Sequence, residues 1–274
     1  MLPCLKACRY GRHLFAASLI PSIGLSLPAT AHDGHHDAGA ALHFSHPIVV
    51  ESPSPDTKLR LDYGFEGSDA LDSHMARLEG EYAFAPWISV EVDLPWRRVK
   101  EAGGPARAHL DSGEVALKLV GFADPESGLL LGGGLEIGLP TGSTRKAIGS
   151  SREIEIEPFL DIGFKRGRFE LVSFLRFGIP TNKPAEERDA EKLELGYSGS
   201  VLYHASPSVE LLVEFEGSRI AAGEEQENSF LVAPGIKYRP FRQHALAIGA
   251  SLRVPLDHER AFDIGPMISA FYHF

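Results

Sequence analysis

The sequence lacks cysteine beyond its eighth residue, and it has little that resembles a membrane-spanning helix. Its two cysteines among 274 residues are Cys4 and Cys8. That placement excludes a disulfide framework, a thiolate metal site and a cysteine nucleophile from the rest of the chain. One long uncharged apolar stretch occurs, at 14–31, and it contains two prolines and three serines. A helical membrane protein is therefore not expected.

This apolar stretch has the layout of a secretory signal. Three basic residues precede it, and an A-x-A cleavage site ends at Ala31. We expect a signal peptide over 1–31 and a mature chain that begins at His32. The alternative, a membrane anchor, is disfavoured because the stretch is short for a span and is broken by proline.

Basic charge and catalytic motifs are also scarce. Without 1–31 the chain has 24 basic residues against 37 acidic ones, so no nucleic-acid partner is expected. No G-x-S-x-G, H-E-x-x-H or phosphate-binding loop occurs. One class of twelve-stranded outer-membrane barrels is a phospholipase with a Ser/His pair, but His109 and His258 have no evident serine partner. His204 is expected to face inward beside Ser206. The sequence therefore predicts no enzyme.

The sequence does contain one pattern, repeated from residue 57 to the end. Twelve segments of about ten residues alternate apolar and polar positions, with turn residues between them. Connections after even-numbered segments are mostly tight, whereas "EGSDALDS" and "RRVKEAGGPARAHLD" are examples of the longer ones that follow odd-numbered segments. Outer-membrane barrels show this asymmetry, with short turns in the periplasm. The predicted fold class is all-β, a single transmembrane antiparallel β-barrel of about 12 strands over 57–274.

The two faces of these segments differ in charge. Apolar faces carry no charged residue in the strand cores, a pattern that a soluble sandwich also shows. The signal peptide, the loop asymmetry and the aromatic residues near strand ends favour the membrane barrel. We expect Leu117, Ile156, Leu175 and Leu252 to face lipid. The charged residues expected to face the lumen are Glu81, Glu91, Glu155, Glu157, Glu214, Arg176 and Arg253.

The inward charges allow two interpretations. Acidic residues outnumber basic ones on these faces, which is typical of a path that favours cations. The alternative is a buried ion-pair network that stiffens a narrow barrel. Twelve strands lie between small filled barrels and wide porins, so we expect a narrow or gated lumen.

The chain ends inside a strand, in "AFDIGPMISAFYHF". A spanning sheet leaves no edge unpaired in hydrocarbon, so the last strand should pair with the first. The alternating aromatic ending resembles the C-terminal signal that the outer-membrane assembly machinery reads. We therefore expect Tyr272 and Phe274 to form an assembly signal and that machinery to be a partner.

Four stretches carry a family resemblance: "SHPIVVESPSPDTKLRLDY", "DSGEVALKLV", "GGGLEIGLPTGS" and "FLVAPGIKYRP". Together they resemble the outer-membrane barrel family named after the phenol-degradation meta-cleavage pathway, over about residues 57–274. The resemblance implies a barrel that transports small molecules, and it supplies no catalytic residues. The chain departs from that family in its His-rich beginning.

That beginning, "HDGHHDAGAALHFSH", is a compositional signal for metal binding. Imidazole and carboxylate groups suit Zn, Cu or Ni, and the alternative is a solvated tail with no ligand. We expect no cofactor beyond weakly bound Zn, Cu or Ni, and a tract that hangs at the periplasmic mouth. The candidate metal ligands are His32, His35, His36, His43 and His46.

These interpretations lead to an outer-membrane transporter or channel that passes a small solute or ion, with a link to divalent metal handling. The alternative is a non-conducting barrel whose His-rich tail binds metal or a periplasmic partner. The expected partners are outer-membrane lipid, the assembly machinery and a small solute or cation. The expected location is the bacterial outer membrane, with both termini periplasmic and a His-rich and Ser/Pro-rich periplasmic segment over 32–56.

Overall fold

The computed structural model describes most of the chain from residue 42 onward. The expected signal peptide, 1–31, and three of the expected metal ligands, His32, His35 and His36, lie outside the described residues. Within the described part, no helix is long and apolar enough to cross a membrane. The residues described are 42–181, 193–222, 228–240, 246–257, 260 and 262–274.

Thirteen antiparallel strands form one sheet. Residues alternate between the two faces of each strand, as the period-two sequence pattern requires. A 3-10 turn covers Thr144–Lys146. The strands are β1 (Lys58–Gly67), β2 (Leu71–Ala85), β3 (Ile88–Glu101), β4 (Arg107–Leu110), β5 (Glu114–Asp124), β6 (Leu129–Gly138), β7 (Ile154–Arg166), β8 (Phe169–Thr181), β9 (Leu193–Ser206), β10 (Val209–Ala222), β11 (Asn228–Tyr238), β12 (Leu246–Pro255) and β13 (Gly265–His273).

The sheet closes on itself between its first and last strands. β1 pairs with β2 on one side and with β13 on the other, where Lys58 lies opposite His273. The backbone N–H of Phe274 donates to the Thr57 carbonyl over 3.0 Å, so pairing continues to the end of the chain. The prediction of an all-β, closed antiparallel barrel of twelve strands is confirmed.

The thirteenth strand, β4, does not add a position to the barrel wall. β3 pairs with β5 over Ile88–Asp93 and with β4 over Trp96–Val99, on the same side. β4 and β5 therefore occupy one wall position, interrupted at 111–113. The stretch "RRVKEAGGPARAHLD", expected to be a loop, is thus largely a hairpin.

The connection between β1 and β2 also differs from expectation. The stretch "EGSDALDS" was expected to be a long loop, but β1 ends at Gly67, β2 begins at Leu71 and the turn spans only 68–70. Ser68 and Leu71 exchange backbone hydrogen bonds across it. Backbone pairing needs no apolar side chains, so the strands continue past the point where the apolar alternation stops.

Two ends of the barrel are distinguished by their connections. Tight turns at 86–87, 125–128, 167–168 and 207–208 mark what we call the short-turn end, which also contains Phe274. The opposite end, which we call the loop end, includes the longer connection 139–153.

The outer surface is a continuous apolar band. Leu117, Ile156 and Leu252 are exposed there, and Leu175 is half-exposed. Such a surface is suited to hydrocarbon, since an apolar area of this size is rare on soluble monomers. Exposed aromatic side chains encircle the short-turn end, as at a membrane interface, and we call them the aromatic belt. They are Tyr82, Phe84, Trp87, Phe122, Phe169, Tyr238, Tyr272 and Phe274.

Candidate functional site

The described part of the N-terminal segment lies inside the barrel. Residues 42–56 precede β1, and we call them the plug. Phe44, His46, Ile48 and Val50 are each no more than 2% exposed. The His-rich tract was expected to hang at the periplasmic mouth, but its described end, 42–46, packs into the barrel because the inner wall offers the plug both polar and apolar partners.

Wall carboxylates bind the plug backbone. Glu214 of β10 accepts hydrogen bonds from the N–H groups of Ile48, Val49 and Val50, with distances from 2.8 to 3.2 Å. The N–H of Ser45 donates to Glu170 of β8 over 2.7 Å. Because the plug is not part of the β-ladder, its buried N–H groups need these side-chain acceptors.

Wall cations bind the plug carbonyls in the same way. The Lys237 ammonium donates to the carbonyl of His46 over 2.5 Å, and the Arg60 guanidinium donates to the carbonyl of Ile48. The plug is therefore held by charged side chains of the wall at both its donors and its acceptors, and charge-assisted hydrogen bonds of this kind are the stronger class.

Apolar side chains of the plug occupy two matching seats. Phe44 and Val50 pack on inward residues of β6, β7 and β8, and Ile48 packs on inward residues of β9, β10 and β13. Glycines make the close approach possible: a Cβ added at Gly163 would lie 2.6 Å from the Phe44 ring, and one at Gly249 would lie 2.8 Å from Ile48. The seat residues are Leu130, Phe159, Val172, Phe174, Leu202, Leu212 and Met267.

An ion-pair network fills the wall interior beside the plug. Lys58 is fully buried, and its ammonium lies 2.7 Å from Glu79 and 2.5 Å from Glu81. Arg77 reaches Asp62 over 2.7 Å and Asp93 over 3.2 Å. Cations and carboxylates alternate throughout, which is how buried charges are compensated. The network comprises Glu51, Lys58, Arg60, Asp62, Arg77, Glu79, Glu81, Glu91, Asp93 and Lys118.

A second charged region lies toward the loop end. Carboxylate oxygens of Glu114, Glu136 and Glu157 lie within 4.8 Å of one another. Arg176 of β8 faces them, 3.7 Å from Glu136 and 3.9 Å from Glu216, and its side chain is 31% exposed. We call this the loop-end acidic group, which comprises Glu114, Glu136, Glu155, Glu157 and Glu216.

The charged residues expected in the lumen fall into different environments. Glu81 and Glu91 belong to the ion-pair network, and Glu214 binds the plug. Glu155 and Glu157 lie on the inner face of β7 in the loop-end acidic group. Arg176 contacts that group, and Arg253 pairs with Glu66 over 3.1 Å near the loop end.

Three imidazoles surround one carboxylate oxygen at the short-turn end. Asp56 Oδ2 lies 2.6 Å from His273 Nδ1, 3.0 Å from His46 Nε2 and 3.5 Å from His43 Nε2. His43 and His46 were expected as metal ligands from the sequence. Asp56 and His273 were not expected as ligands. The apolar and polar alternation of the last strand did, however, place His273 on the inward face.

The protonation states in this cluster follow from its surroundings. Burial raises the pKa of Asp56, but hydrogen bonds from His273, His43 and His46 outweigh burial and hold that pKa well below its ordinary value. Burial lowers the pKa of His46 well below its ordinary value, and the Lys58 ammonium lowers it further, against the opposite effect of Asp56. Asp56 is thus ionised and His46 neutral near neutral pH.

The expected assembly signal lies on the outside of the same end. Tyr272 and Phe274 are both exposed, and their rings contact each other edge to face with centroids 5.0 Å apart. Both belong to the aromatic belt. Recognition of these residues by the assembly machinery stays a prediction.

Sequence reasoning missed several residues that hold the plug. Glu170 and Lys237 bind it through hydrogen bonds, and Val172, Phe174 and Leu202 form part of its apolar seats. A signal was present, because a water-filled lumen gives no reason for apolar residues on the inner face. Pairing these residues with Phe44 and Ile48 required the three-dimensional structure.

Comparison with known proteins places the fold among outer-membrane barrels. An outer membrane channel from Pseudomonas putida F1 superposes with a TM-score of 0.67 at 13% identity, covering 88% of this chain and all of that one. The NanC porin gives 0.57 at 8% identity, covering 79% and 98%. The KdgM porin gives 0.51 at 11% identity, covering 78% and 99%. Neither known protein families nor curated proteins match the sequence.

Proposed function

We propose that the chain is an outer-membrane channel or transporter for a small solute or ion, and that the plug controls passage. The barrel fold, the apolar exterior and the aromatic belt support a place in the bacterial outer membrane. The three structures compared above are called channel or porin. We also propose that the short-turn end, which contains the C terminus, faces the periplasm.

The observation that carries this proposal is how the plug is held. Side chains of the wall bind it, and none of its described residues is a member of a β-strand. It can therefore leave without opening the barrel ladder, whereas removing a strand would break the closed sheet. A displaceable segment inside a closed barrel is suited to gating.

The loop-end acidic group supports a preference for cations. Carboxylate side chains on an inner wall attract cations and raise their local concentration. We further propose a link to divalent metal handling, which the His-rich tract and the position of His43 and His46 support. The tract would then lie at the end from which the plug enters.

One observation favours the alternative function. The plug occupies the short-turn half with Phe44 and Ile48 fully buried, so the barrel in this state has its interior filled there. A non-conducting barrel that presents a His-rich tail to metal or to a periplasmic partner would look the same in this state. Conductance distinguishes the two functions.

Planar-bilayer recording tests the proposal directly. The mature protein should conduct weakly or intermittently, and deletion of 42–56 should give a steady conductance several-fold larger. Deletion of 32–41 is the matched control, because it shortens the same segment and leaves the plug. Ile48→Asp provides a milder variant, since it places a carboxylate in the apolar seat.

Equal conductance of the mature protein and both plug variants would show that the plug does not control passage. No conductance from any of them would favour the non-conducting alternative. Each variant is first checked for heat-modifiable gel mobility, which reports a closed barrel.

A further inference from the structure

The His/Asp cluster at the short-turn end joins both ends of the plug to the last strand. His43 and His46 lie near the start of the plug, Asp56 is its last residue before β1, and His273 is the last residue of β13. β1 and β13 are the strands that close the barrel. The cluster is therefore located at the closure, where the plug enters the lumen.

Three donors of the cluster, from His43, His46 and Asp56, lie close enough together to share one metal ion, and His273 hydrogen-bonds the same Asp56 oxygen as the nearest fourth donor. Zinc binds imidazole nitrogen and carboxylate oxygen at about 2.0–2.2 Å, so the donors of a tetrahedral site lie about 3.3 Å apart. Asp56 Oδ2 lies 2.6, 3.0 and 3.5 Å from the nitrogens of His273, His46 and His43. Donors from His43, His46 and Asp56 lie within 4.8 Å of one another.

The cluster is preorganised by contacts on its other sides. Thr57 donates its N–H to Asp56 Oδ1 over 2.7 Å, and the Asp56 N–H donates to Glu81 over 3.1 Å, so Oδ2 is directed at the imidazoles. The His46 ring is buried with its centroid 5.5 Å from that of His273. A site that is held before the ion arrives needs little rearrangement on binding.

Two ammonium groups lie near the cluster, and carboxylates engage both. Lys58 is held by Glu79 and Glu81, and Lys237 lies 3.1 Å from Glu210. Asp56 therefore remains available as the anionic ligand. His43 is half-exposed, with 51% of its side chain accessible, which gives an ion a route into the site from the mouth.

We propose that His43, His46, Asp56 and His273 bind one divalent cation of the zinc class, which fastens the plug to the last strand. The proposal does not depend on the channel function, since it concerns binding alone. It also differs from the metal site expected in the His-rich tract, because its ligands are held by the fold and two of them, Asp56 and His273, lie outside that tract.

The test uses the mature barrel in detergent, stripped with a chelator and then dialysed against Zn²⁺. The starting protein is the H32Q/H35Q/H36Q variant, which removes the three histidines of the tract outside the cluster. Elemental analysis should find one zinc per barrel. His43→Gln and His273→Gln should each weaken binding by about tenfold or more, and the double variant should abolish it.

The matched control is His204→Gln. His204 also pairs with a carboxylate near the short-turn end, 2.8 Å from Glu170, and it lies outside the cluster. Its replacement should leave zinc binding unchanged. Co²⁺ provides a second measurement, because four-coordinate Co²⁺ absorbs visible light far more strongly than hydrated Co²⁺.

Three results would overturn the proposal. Absence of zinc binding below millimolar concentration, in the mature chain and in the starting variant alike, would leave a purely hydrogen-bonded cluster. Zinc binding by the mature chain with all its histidines that disappears in the starting variant would assign the ion to His32, His35 and His36. Zinc binding that persists in the His43/His273 double variant would place the ion elsewhere. A gel-mobility check confirms that each variant forms the barrel.

Discussion

Two charged regions of the barrel interior, the ion-pair network and the loop-end acidic group with Arg176, combine the same residue types in different arrangements. In the ion-pair network, the Lys58 ammonium and its neighbours lie within direct contact of carboxylates, and the plug covers them. Beside the loop-end acidic group, Arg176 stands 3.7 Å or more from Glu136 and Glu216 and is partly exposed. The first arrangement is suited to rigidity, and the second to contact with mobile ions.

Burial explains why ion pairs in these two arrangements contribute differently to the free energy of unfolding. An ion pair that is removed from water becomes strongly destabilising when one partner is deleted, because the remaining charge stays buried. An exposed or loosely spaced pair contributes little, because water screens it. The comparison therefore predicts large stability effects for the ion-pair network and selectivity effects for the loop-end acidic group.

The largest effect is expected from Lys58→Met. Its loss leaves Glu79 and Glu81 without their closest cation, and we expect the free energy of unfolding to fall by about 3–5 kcal/mol. Arg176→Met, beside the loop-end acidic group, should lower it by less, because the Arg176 side chain is 31% exposed and its ion pairs are longer. Urea titration of the detergent-solubilised protein, followed by gel mobility, measures both.

Lys118→Met provides a control within the network. Lys118 is buried too, but it lies 3.4 Å from Glu81 and 3.6 Å from Glu91, so its replacement should have a smaller effect than that of Lys58. If Lys58→Met and Arg176→Met lowered stability equally, the contrast between the two regions would be wrong.

Glu214→Ala should have the next largest effect, and it should act on the plug. Three buried N–H groups lose their acceptor, so we expect the plug to be destabilised by about 2–4 kcal/mol. Hydrogen exchange of the Ile48, Val49 and Val50 amides, followed by mass spectrometry, measures this directly. Exchange should accelerate while the strands stay protected.

Glu216→Ala is the matched control for Glu214. Glu216 lies two residues further along the same face of β10 and contacts Arg176 instead of the plug. Its replacement should leave exchange of the plug amides unchanged. Equal acceleration in both variants would indicate that the plug responds to the whole inner wall and not to Glu214.

The smallest effect is expected from Glu155→Gln combined with Glu157→Gln. Stability should change little, and the reversal potential in a salt gradient should shift toward anions because two lumen carboxylates are neutralised. Glu126→Gln, in an exposed turn at the short-turn end, is the control. An anion-selective wild-type channel would contradict the assignment of cation preference to the loop-end acidic group.

The barrel itself was predictable because its signal is local. Period-two alternation fixed which face of each strand points outward, as Leu117, Ile156 and Leu252 illustrate. The even number of wall strands and the aromatic ending indicated closure. Strand ends were less predictable, since β1, β2 and β3 continue through polar stretches where backbone pairing persists without an apolar pattern.

The interior was predictable only in part. Alternation placed Glu81, Glu155 and Glu214 on the inner face, but it could not say which of them would bind a backbone, join an ion pair or remain near solvent. Those roles depend on which side chains the other strands place opposite them. Strand stagger and closure set those neighbours, and no local pattern encodes them.

The sequence by itself determined the alternating strands, their outward faces and the presence of histidines before the first strand. Only the tertiary structure decided that the plug lies inside and that His43, His46, Asp56 and His273 meet at one point. His273 is separated from Asp56 by the entire barrel along the chain, and antiparallel closure of β1 on β13 brings them together. Apolar seats inside the wall then bury Phe44 and Ile48, which a free tail would leave in water.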